Sequence, residues 1–488
     1  MPTSAQSHEF RESGSAGRTP VGAVSGIVWA CVLLGALCGF AVAATGLNAL
    51  YLCASVVGCA FIARDFRVGV VLLILLMPIS TSAVFPHAML GVTGLNPLNL
   101  LLIGTLGSYL LDRIAGGARR GVVPHTLLWL YIVPIVLAGV LGSRHVGEIY
   151  PGFFLSDVIQ FSNAAGYLVE LLVKPMLLVV YALLVSAAVA KSKSPERFLV
   201  PTLISIWVMS ALVIVFVARG GLSLERLASS DSREFLSPLG LHANDLGRMY
   251  AVAYALLLFT WAQSKEVGLR LLLFASMGVV ALALMLTFSR GAFVGFVVVN
   301  ALFVLLQRSR RALIFFGLLA IVALFALPAA VYERVASGYG EGIDAISAGR
   351  VDKIWLPLLP EVLRSPVFGS GLGSILWSQP MRTGAGVTIL AVGHPHNAYL
   401  EAALDMGIGG LILLCAYFVH VWKQLRALSA DPALGPRLRG FFAGAAAGLA
   451  CLAVADLTDS SLAPRPEQVF LWLAIGMMYG LYGRRAAK

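Results

Sequence analysis

One stretch of the sequence, GHPHNAYLEAALDMGIGG from Gly393 to Gly410, is far more polar than the apolar residues around it. His394 and His396 flank a proline, and an imidazole titrates near neutral pH, so either side chain could take a proton from a hydroxyl group. Pro395 disfavours helical backbone at the residue before it, so a helix is predicted to begin near His396 or Asn397. The stretch therefore combines a candidate general base with the start of a helix.

The helix that follows is predicted to carry a polar stripe. Asn397, Glu401 and Asp405 recur every four residues and so share one helical face. Ionisable groups at membrane depth almost always face a cavity or a partner. Gly407 and Gly410 would let a neighbouring helix approach closely. A purely structural role, with a helix cap and satisfied interhelical hydrogen bonds, stays open for these polar residues.

Two other segments place arginines within apolar surroundings. TFSRGAFVGF carries Ser289 and Arg290, and GLHANDLGRMY carries His242, Asp245 and Arg248. A guanidinium is always charged and its planar fork matches phosphate oxygens, so Arg290 and Arg248 are candidates for binding a diphosphate. Either arginine could instead anchor the chain to lipid headgroups. Near these residues the sequence has no carboxylate or His/Glu pair at metal-binding spacing, and it has no P-loop, so we expect neither a metal ion nor ATP.

Composition indicates what must position these residues. Hydrophobic residues make up 59% of the chain, charged residues only 12%, and the mean hydropathy is +0.88. A soluble chain carries about 25% charged residues. Apolar segments long enough to cross a bilayer recur along the sequence, and lipid offers no hydrogen-bond partners, so the spans must be helices. The predicted fold is an all-α, polytopic transmembrane helical bundle with about 12–14 spans.

The segments divide the chain into four parts. We expect a disordered cytoplasmic tail at 1–20, a transmembrane bundle at 21–330, a large periplasmic loop at 331–396, and the last transmembrane helices with a short tail at 397–488. Basic residues concentrate in the short connections on one side, so the positive-inside rule places both termini in the cytoplasm. The same distribution explains the net charge of +11 better than nucleic-acid binding does. Within the large loop, helical periodicity runs from Asp352 to Leu363.

The histidine stretch resembles a known signature. His396-Asn397, nine residues, and then Gly407-x-x-Gly410 is similar to the H-[NSQ]-x9-G-x-x-[GTY] motif of bacterial O-antigen ligases. The Ser289-Arg290-Gly291 segment and the run from Gly349-Arg350 to Gly373 also resemble the O-antigen ligase/polymerase superfamily. The layout is similar too, with many spans and one large periplasmic loop directly before the histidine motif.

The resemblance implies a glycosyltransferase of the bacterial inner membrane with a periplasmic active site and no cofactor. The donor would be O-antigen polysaccharide on undecaprenyl diphosphate, and the acceptor a sugar hydroxyl of lipid A–core. His396 or His394 would be the base, and Arg290 and Arg248 would hold the diphosphate. No residue stands out as a covalent nucleophile, so direct, inverting and metal-independent attack is expected. The supporting polar residues would be Asn397, Glu401, Asp405, Ser289 and Arg350.

Two other functions stay open. An O-antigen polymerase would use similar chemistry with a second lipid-linked glycan as acceptor. A transporter of lipid-linked sugars would place charged residues along a path through the bilayer. In this sequence the polar residues cluster at the external ends of the predicted spans, which favours a transferase.

Overall fold

The computed structural model describes residues 46–485 except 83–84, 90–91, 117–120, 150, 156–158, 222–229, 384–391 and 459–460, with only scattered positions in 32–43 and 308–348. Within this part the chain is helical apart from one short hairpin, in which β1 (Ala88–Met89) pairs antiparallel with β2 (Val92–Thr93). The predicted tail at 1–20, most of the first part of the predicted loop at 331–396, and most of the two ends of the predicted bundle at 21–330 lie outside the described residues.

Fourteen helices carry the fold in the part of the chain that the structure describes. They are α1 (Leu47–Arg64), α2 (Phe66–Leu76), α3 (Pro97–Ala115), α4 (His125–Glu148), α5 (Ala164–Lys191), α6 (Pro195–Gly220), α7 (Ala243–Gln263), α8 (Val267–Met285), α9 (Arg290–Gln307), α10 (Leu356–Arg364), α11 (Gln379–Thr383), α12 (Ala398–Ala430), α13 (Pro436–Ala455) and α14 (Val469–Arg485). Short helical turns lie at Met77–Ile79, Gly152–Leu155, Ser230–Leu239, Val351–Trp355, Ser374–Trp377 and Pro466–Gln468. The helix predicted at Asp352–Leu363 is confirmed by the last turn before α10 and by α10 itself.

Several of these helices have the properties of membrane spans. Among the described residues, seven (α3, α4, α5, α6, α8, α12 and α13) are long and apolar enough to cross a membrane, and three apolar helices are shorter. Large apolar side chains face outward from them, as Ile103 and Ile114 do on α3. A helix hydrophobic on its outer face is stable in lipid. The predicted all-α, multi-pass membrane fold is confirmed.

Helix α7 lies at the centre of the bundle and packs against α13, α8 and α9. Small residues on α13 permit the closest of these contacts. A Cβ added to Gly440 would lie 2.6 Å from the carbonyl oxygen of Phe259, and one added to Gly444 would lie 2.5 Å from that of Ala255. Glycines at four-residue spacing let two helix backbones meet in membranes. The contact fixes the start of α7 beside the end of α13.

Helix α12 is broken at Gly407, where the backbone adopts φ 71° and ψ 176°. A glycine-rich loop, residues 365–374, fills the break. The N–H of Ile408 donates to the Pro366 carbonyl oxygen at 2.7 Å, and the N–H of Gly371 donates to the Asp405 carbonyl oxygen at 2.9 Å. Non-helical backbone is tolerated at membrane depth where protein satisfies its polar groups. The glycine-rich loop therefore supplies hydrogen-bond partners to backbone groups of α12 at the break.

Gly407 and Gly410 were predicted to let a neighbouring helix approach closely, and the structure gives them other neighbours. A Cβ at Gly407 would lie 2.4 Å from the backbone carbon of Val367 in the glycine-rich loop, and a Cβ at Gly410 would lie 2.3 Å from the Cβ of Met406 in α12 itself. At Gly407 the glycine-rich loop, rather than another helix, occupies the space, and at Gly410 a side chain of α12 itself does so. No local sequence pattern predicts the contact between Gly407 and the glycine-rich loop, because the two segments are more than thirty residues apart.

Replacing Gly407 with alanine is expected to destabilise the protein strongly. A left-handed residue with a side chain is strained by about 1–3 kcal/mol, and here the new Cβ would also collide with the Val367 backbone. Thermal unfolding of the detergent-solubilised protein measures the effect. Gly278→Ala in α8 is the matched control, because nothing lies within 4 Å of a Cβ there. Equal unfolding temperatures for the two variants would contradict the account of the break.

Candidate active site

The two histidines face each other at the start of α12. Their ring centroids lie 4.1 Å apart at an interplanar angle of 64°. Between them, the carbonyl oxygen of Pro395 accepts a hydrogen bond from Nε1 of Trp355 at 2.9 Å. His396 has φ 54°, a left-handed conformation that few residues other than glycine adopt. Such strain persists only where surrounding structure imposes it, so the backbone that carries the His396 imidazole is held in a defined conformation.

Asn397 caps the helix, as its position predicted. Its Oδ1 accepts from the N–H of Tyr399 at 3.1 Å and from that of Leu400 at 3.0 Å. The predicted start of the helix is therefore confirmed, with Ala398 as the first helical residue. The N–H of Ala398 donates to the carbonyl oxygen of Asp456 at 2.9 Å, which joins the start of α12 to the end of α13.

The segment between α13 and α14, residues 456–468 and called here the α13–α14 loop, is the common partner of the site. Besides Ala398, it contacts Arg350, whose Nη1 donates to the carbonyl oxygen of Thr458. It also supplies Arg465, whose Nη2 lies 3.4 Å from Oε1 of Glu401. Arg350 and Glu401, both predicted as supporting residues, are thereby brought to one loop.

Arg248 lies inside the same region and is only 3% exposed. Its Nη2 donates to Oδ1 of Asp245 at 2.5 Å and to Oε1 of Glu467 at 3.1 Å, while its Nη1 lies 3.8 Å from Oδ1 of Asp456. A buried charge needs such partners to offset its lost hydration. Burial raises the pKa of Glu467 to about 7, although Arg248 and Arg465 favour its charged form.

This burial bears on the role predicted for Arg248. An arginine that binds a diphosphate must present its guanidinium to the substrate, yet the guanidinium of Arg248 is enclosed by the carboxylates of Asp245 at the start of α7, Asp456 directly after α13 and Glu467 just before α14. The geometry favours Arg248 as the charge that ties these three elements together. This structural role for Arg248 follows from its contacts with Asp456 and Glu467, which lie far from it along the chain.

Ser289 and Arg290 begin α9 beside the start of α7. Oγ of Ser289 donates to Oδ1 of Asn244 at 2.8 Å and accepts from the N–H of Ala292 at 3.3 Å, so it caps α9. His242 caps α7 through Nδ1, which accepts from the N–H of Asn244 at 3.2 Å. Two helix N-termini therefore meet here, and Arg290 is the first, half-buried residue of α9. Aligned peptide dipoles at helix N-termini favour anions.

Asp405 does not join the other members of the predicted polar stripe. It is 4% exposed, and its carboxylate accepts from the N–H of Gly373 at 3.1 Å and from both the N–H and Oγ of Ser374 at 3.0 and 2.8 Å. It fixes the glycine-rich loop in the break of α12. Asn397, Glu401 and Asp405 thus share a helical face but have three separate partners.

Three residues of the site were missed by the sequence analysis. Asp456, Arg465 and Glu467 all lie in DLTDSSLAPRPEQ, a polar and proline-containing stretch between the last two apolar segments. The contrast in polarity between this stretch and the apolar segments beside it could have marked these residues as candidates for the site. Within the described part of the chain, no three His, Cys, Asp or Glu side chains are placed to hold a metal ion.

Together these contacts form one continuous site. The starts of α7, α9, α12 and α14 and the end of α13 lie at the same end of the bundle, called here the site end. From the histidines the contacts run through Ala398 to Asp456, from there to Arg248, and along the first turn of α7 to Ser289. Such a site pairs a possible proton acceptor with an anion-attracting region at the edge of an apolar bundle.

Residues 275–415 match the family model described as O-Antigen ligase. The match runs from α8 to the middle of α12 and includes Ser289, Arg290, Arg350 and both histidines; it covers less than a third of the chain. No curated protein sequence matches the chain. Members of the matched family are lipid-linked glycan transferases. The chain is therefore a multi-pass membrane protein whose residues 275–415 are similar to the O-antigen ligase family, within the O-antigen ligase/polymerase superfamily.

Proposed function

We propose that the protein is an O-antigen ligase, which transfers O-antigen polysaccharide from undecaprenyl diphosphate to a sugar hydroxyl of lipid A–core. The observation that carries this proposal is the convergence at the site end. There the histidine pair is linked through Asp456 and Arg248 to the paired helix N-termini that bear Arg290. A lipid-borne diphosphate needs positive charge at the membrane surface, and an acceptor hydroxyl needs a base beside it.

In the proposed reaction, the acceptor hydroxyl oxygen attacks the anomeric carbon of the donor sugar. The new carbon–oxygen bond forms as the bond from that carbon to the diphosphate oxygen breaks, and His396 takes the hydroxyl proton. Arg290 and the N-termini of α7 and α9 stabilise the charge that develops on the leaving diphosphate. Because these groups are already in place before reaction, they lower the barrier without reorganisation. His394 is the alternative base.

The remaining residues would hold this arrangement in place. We assign Arg248 to the charged cluster that joins α7, α13 and the α13–α14 loop rather than to direct contact with the donor. Arg350 and Glu401 would fix the same loop, and Asp405 the glycine-rich loop. The protein would lie in the bacterial inner membrane with both termini in the cytoplasm and the site end in the periplasm, where the lipid tails of both substrates arrive sideways through the bilayer.

A comparison of strains tests the proposal against the polymerase alternative. Lipopolysaccharide from a strain lacking the gene is compared with that from the complemented strain. Loss of the O-antigen ladder with accumulation of lipid-linked polymer is the result expected for a ligase. Lipopolysaccharide carrying a single repeat unit would instead identify a polymerase. An unchanged ladder would contradict both transferase roles.

Arg290→Lys is expected to weaken donor binding by about 10–100-fold, since a lysine lacks the fork that makes two charge-assisted bonds to phosphate. The KM for the lipid-linked donor, measured with purified enzyme, checks this. Arg270→Lys at the opposite end of α8 is the matched control, because Arg270 lies against the Trp261 ring away from the site end. A donor KM equal to that of wild type would make Arg290 a headgroup anchor.

The proposed mechanism also makes a prediction about stereochemistry and metal. Direct attack inverts the configuration at the anomeric carbon, and Arg290 with the N-termini of α7 and α9 would stabilise the leaving diphosphate, as a divalent ion does in other enzymes. We therefore expect full activity in EDTA and a product linkage opposite in anomeric configuration to the donor. Nuclear magnetic resonance of the product determines the configuration. Activity that depends on added Mg²⁺ or Mn²⁺, or a retained configuration, would refute the respective half of the mechanism.

A further inference from the structure

A cavity of about 770 Å³ opens beside the glycine-rich loop, between the end of α4 and α10. It is distinct from the histidine pair and from the Arg248 cluster, and none of those residues lines it. Its size is in the range of sites that enclose a sizeable organic ligand. Its lining includes six polar or aromatic residues that could contact a ligand: His145, Glu148, Glu361, Arg364, Trp377 and Gln379.

The polar groups of this cavity are already organised by one another. Oε1 of Glu361 accepts from Nη1 of Arg364 at 2.7 Å and from the N–H of Gln379 at 3.1 Å. On the opposite wall, Nδ1 of His145 lies 2.9 Å from Oε1 of Glu148. Carboxylates, an amide and a guanidinium together offer both acceptors and donors. Because the carboxylates offset the arginine, the lining suits a neutral, hydroxyl-rich ligand better than a phosphate.

Trp377 gives independent support for a ligand. It is 7% exposed and lines the cavity, and its ring stacks on that of His145 with centroids 5.5 Å apart. Its indole N–H is buried and has no hydrogen-bond acceptor among the residues that the structure describes. A buried tryptophan N–H usually finds a partner. A sugar hydroxyl would supply one, and aromatic rings are common walls for sugar rings.

The cavity is separated from the histidines by the length of α10. Trp355 donates a hydrogen bond to Pro395, between the two histidines in the chain, and directly precedes α10, and Arg364 ends that helix. Nine residues at about 1.5 Å each separate the two by roughly 13 Å. That distance exceeds one sugar ring, so the cavity would hold sugars remote from the reacting bond.

We propose that this cavity is a glycan-binding subsite that holds sugar units of one substrate away from the reacting bond. The inference rests on the proposed glycan transfer. The donor polysaccharide and the oligosaccharide of lipid A–core share the hydroxyl chemistry that the lining recognises, so the test includes both. Glu361 and Gln379 position Arg364, and Arg364 and Trp377 make the contacts that a ligand would gain.

The test measures binding of two free glycans to the purified, full-length protein by calorimetry: an oligosaccharide of O-antigen repeats and the core oligosaccharide released from lipopolysaccharide. We expect one of them to bind wild type, with Kd raised about tenfold or more by Arg364→Ala and by Trp377→Phe, which keeps an aromatic ring and removes the indole N–H. Arg437→Ala, in an exposed pair with Glu266 distant from the cavity, is the control and should bind normally. The glycan that binds identifies the substrate concerned.

Transfer kinetics separate this proposal from the proposed function. Both cavity variants should raise KM for the full-length substrate and leave kcat unchanged, and should have no effect with a substrate shortened to the reacting sugar. Absence of binding by either glycan, or wild-type Kd values in both variants, would overturn the subsite. Variant-sensitive glycan binding by a protein without transferase activity would overturn the proposed function and leave the subsite standing.

Discussion

Replacing His396 with asparagine is expected to lower kcat for glycan transfer by about 10²–10⁴-fold while the protein still folds. Asparagine has no basic group, yet it tolerates the left-handed backbone that His396 adopts better than alanine does. The loss would therefore report the missing proton acceptor rather than a disturbed loop. The rate is measured with saturating donor and acceptor in detergent or proteoliposomes.

His394→Asn is the natural control for this variant. It lies in the same loop, with its ring 4.1 Å from that of His396, and removes an imidazole of the same kind. We expect a clearly smaller loss than for His396→Asn. Near-normal turnover of His396→Asn together with loss of activity in His394→Asn would transfer the role of base to His394. Near-normal turnover of both variants would remove histidine from the mechanism.

Arg248→Ala is expected to cost about 3–5 kcal/mol of stability, since removing one partner of a buried ion pair leaves the others uncompensated. Asp245 and Glu467 would lose their hydrogen bonds to the guanidinium, and Glu467 is 4% exposed. A lower unfolding temperature, measured in detergent, is the expected readout. Arg437→Ala breaks an exposed ion pair with Glu266 and should change stability by less than about 1 kcal/mol.

A double variant separates the structural role of Arg248 from a substrate-binding role. Glu467→Gln removes one of the charges that Arg248 offsets, so Arg248→Ala with Glu467→Gln should recover part of the lost stability. If Arg248 instead grips the donor diphosphate, the single variant will unfold like wild type and raise only the donor KM. That result would restore the role predicted from the sequence.

The sequence predicted most accurately where the deciding interactions are local. The start of α12 followed from Pro395 and Asn397, because proline and the cap act within a few residues. The membrane helices could be predicted from composition, because an apolar segment of sufficient length indicates a span by itself. The histidine motif resembles that of O-antigen ligases, and the family match over residues 275–415 agrees with that resemblance.

The features that could not be predicted from the sequence depend on contacts between residues distant in the chain. The break at Gly407 depends on the glycine-rich loop, and the loop is held there by Asp405. Arg248 is enclosed by Glu467, which lies 219 residues further along the chain. Neither contact leaves a periodic or motif-like signal. In the sequence, an ionisable residue near the end of a predicted span looks the same whether it binds a substrate or pairs with a buried counter-ion.

The central claim is that this chain moves an intact glycan from a lipid diphosphate to lipid A–core. Purified protein in proteoliposomes, supplied with both lipid-linked substrates, tests it most directly, with mass spectrometry of the lipid products. We predict lipid A–core heavier by the whole donor glycan, released undecaprenyl diphosphate, and neither product with His396→Asn. Unmodified lipid A–core beside a lengthened lipid-linked glycan would contradict the claim and identify a polymerase.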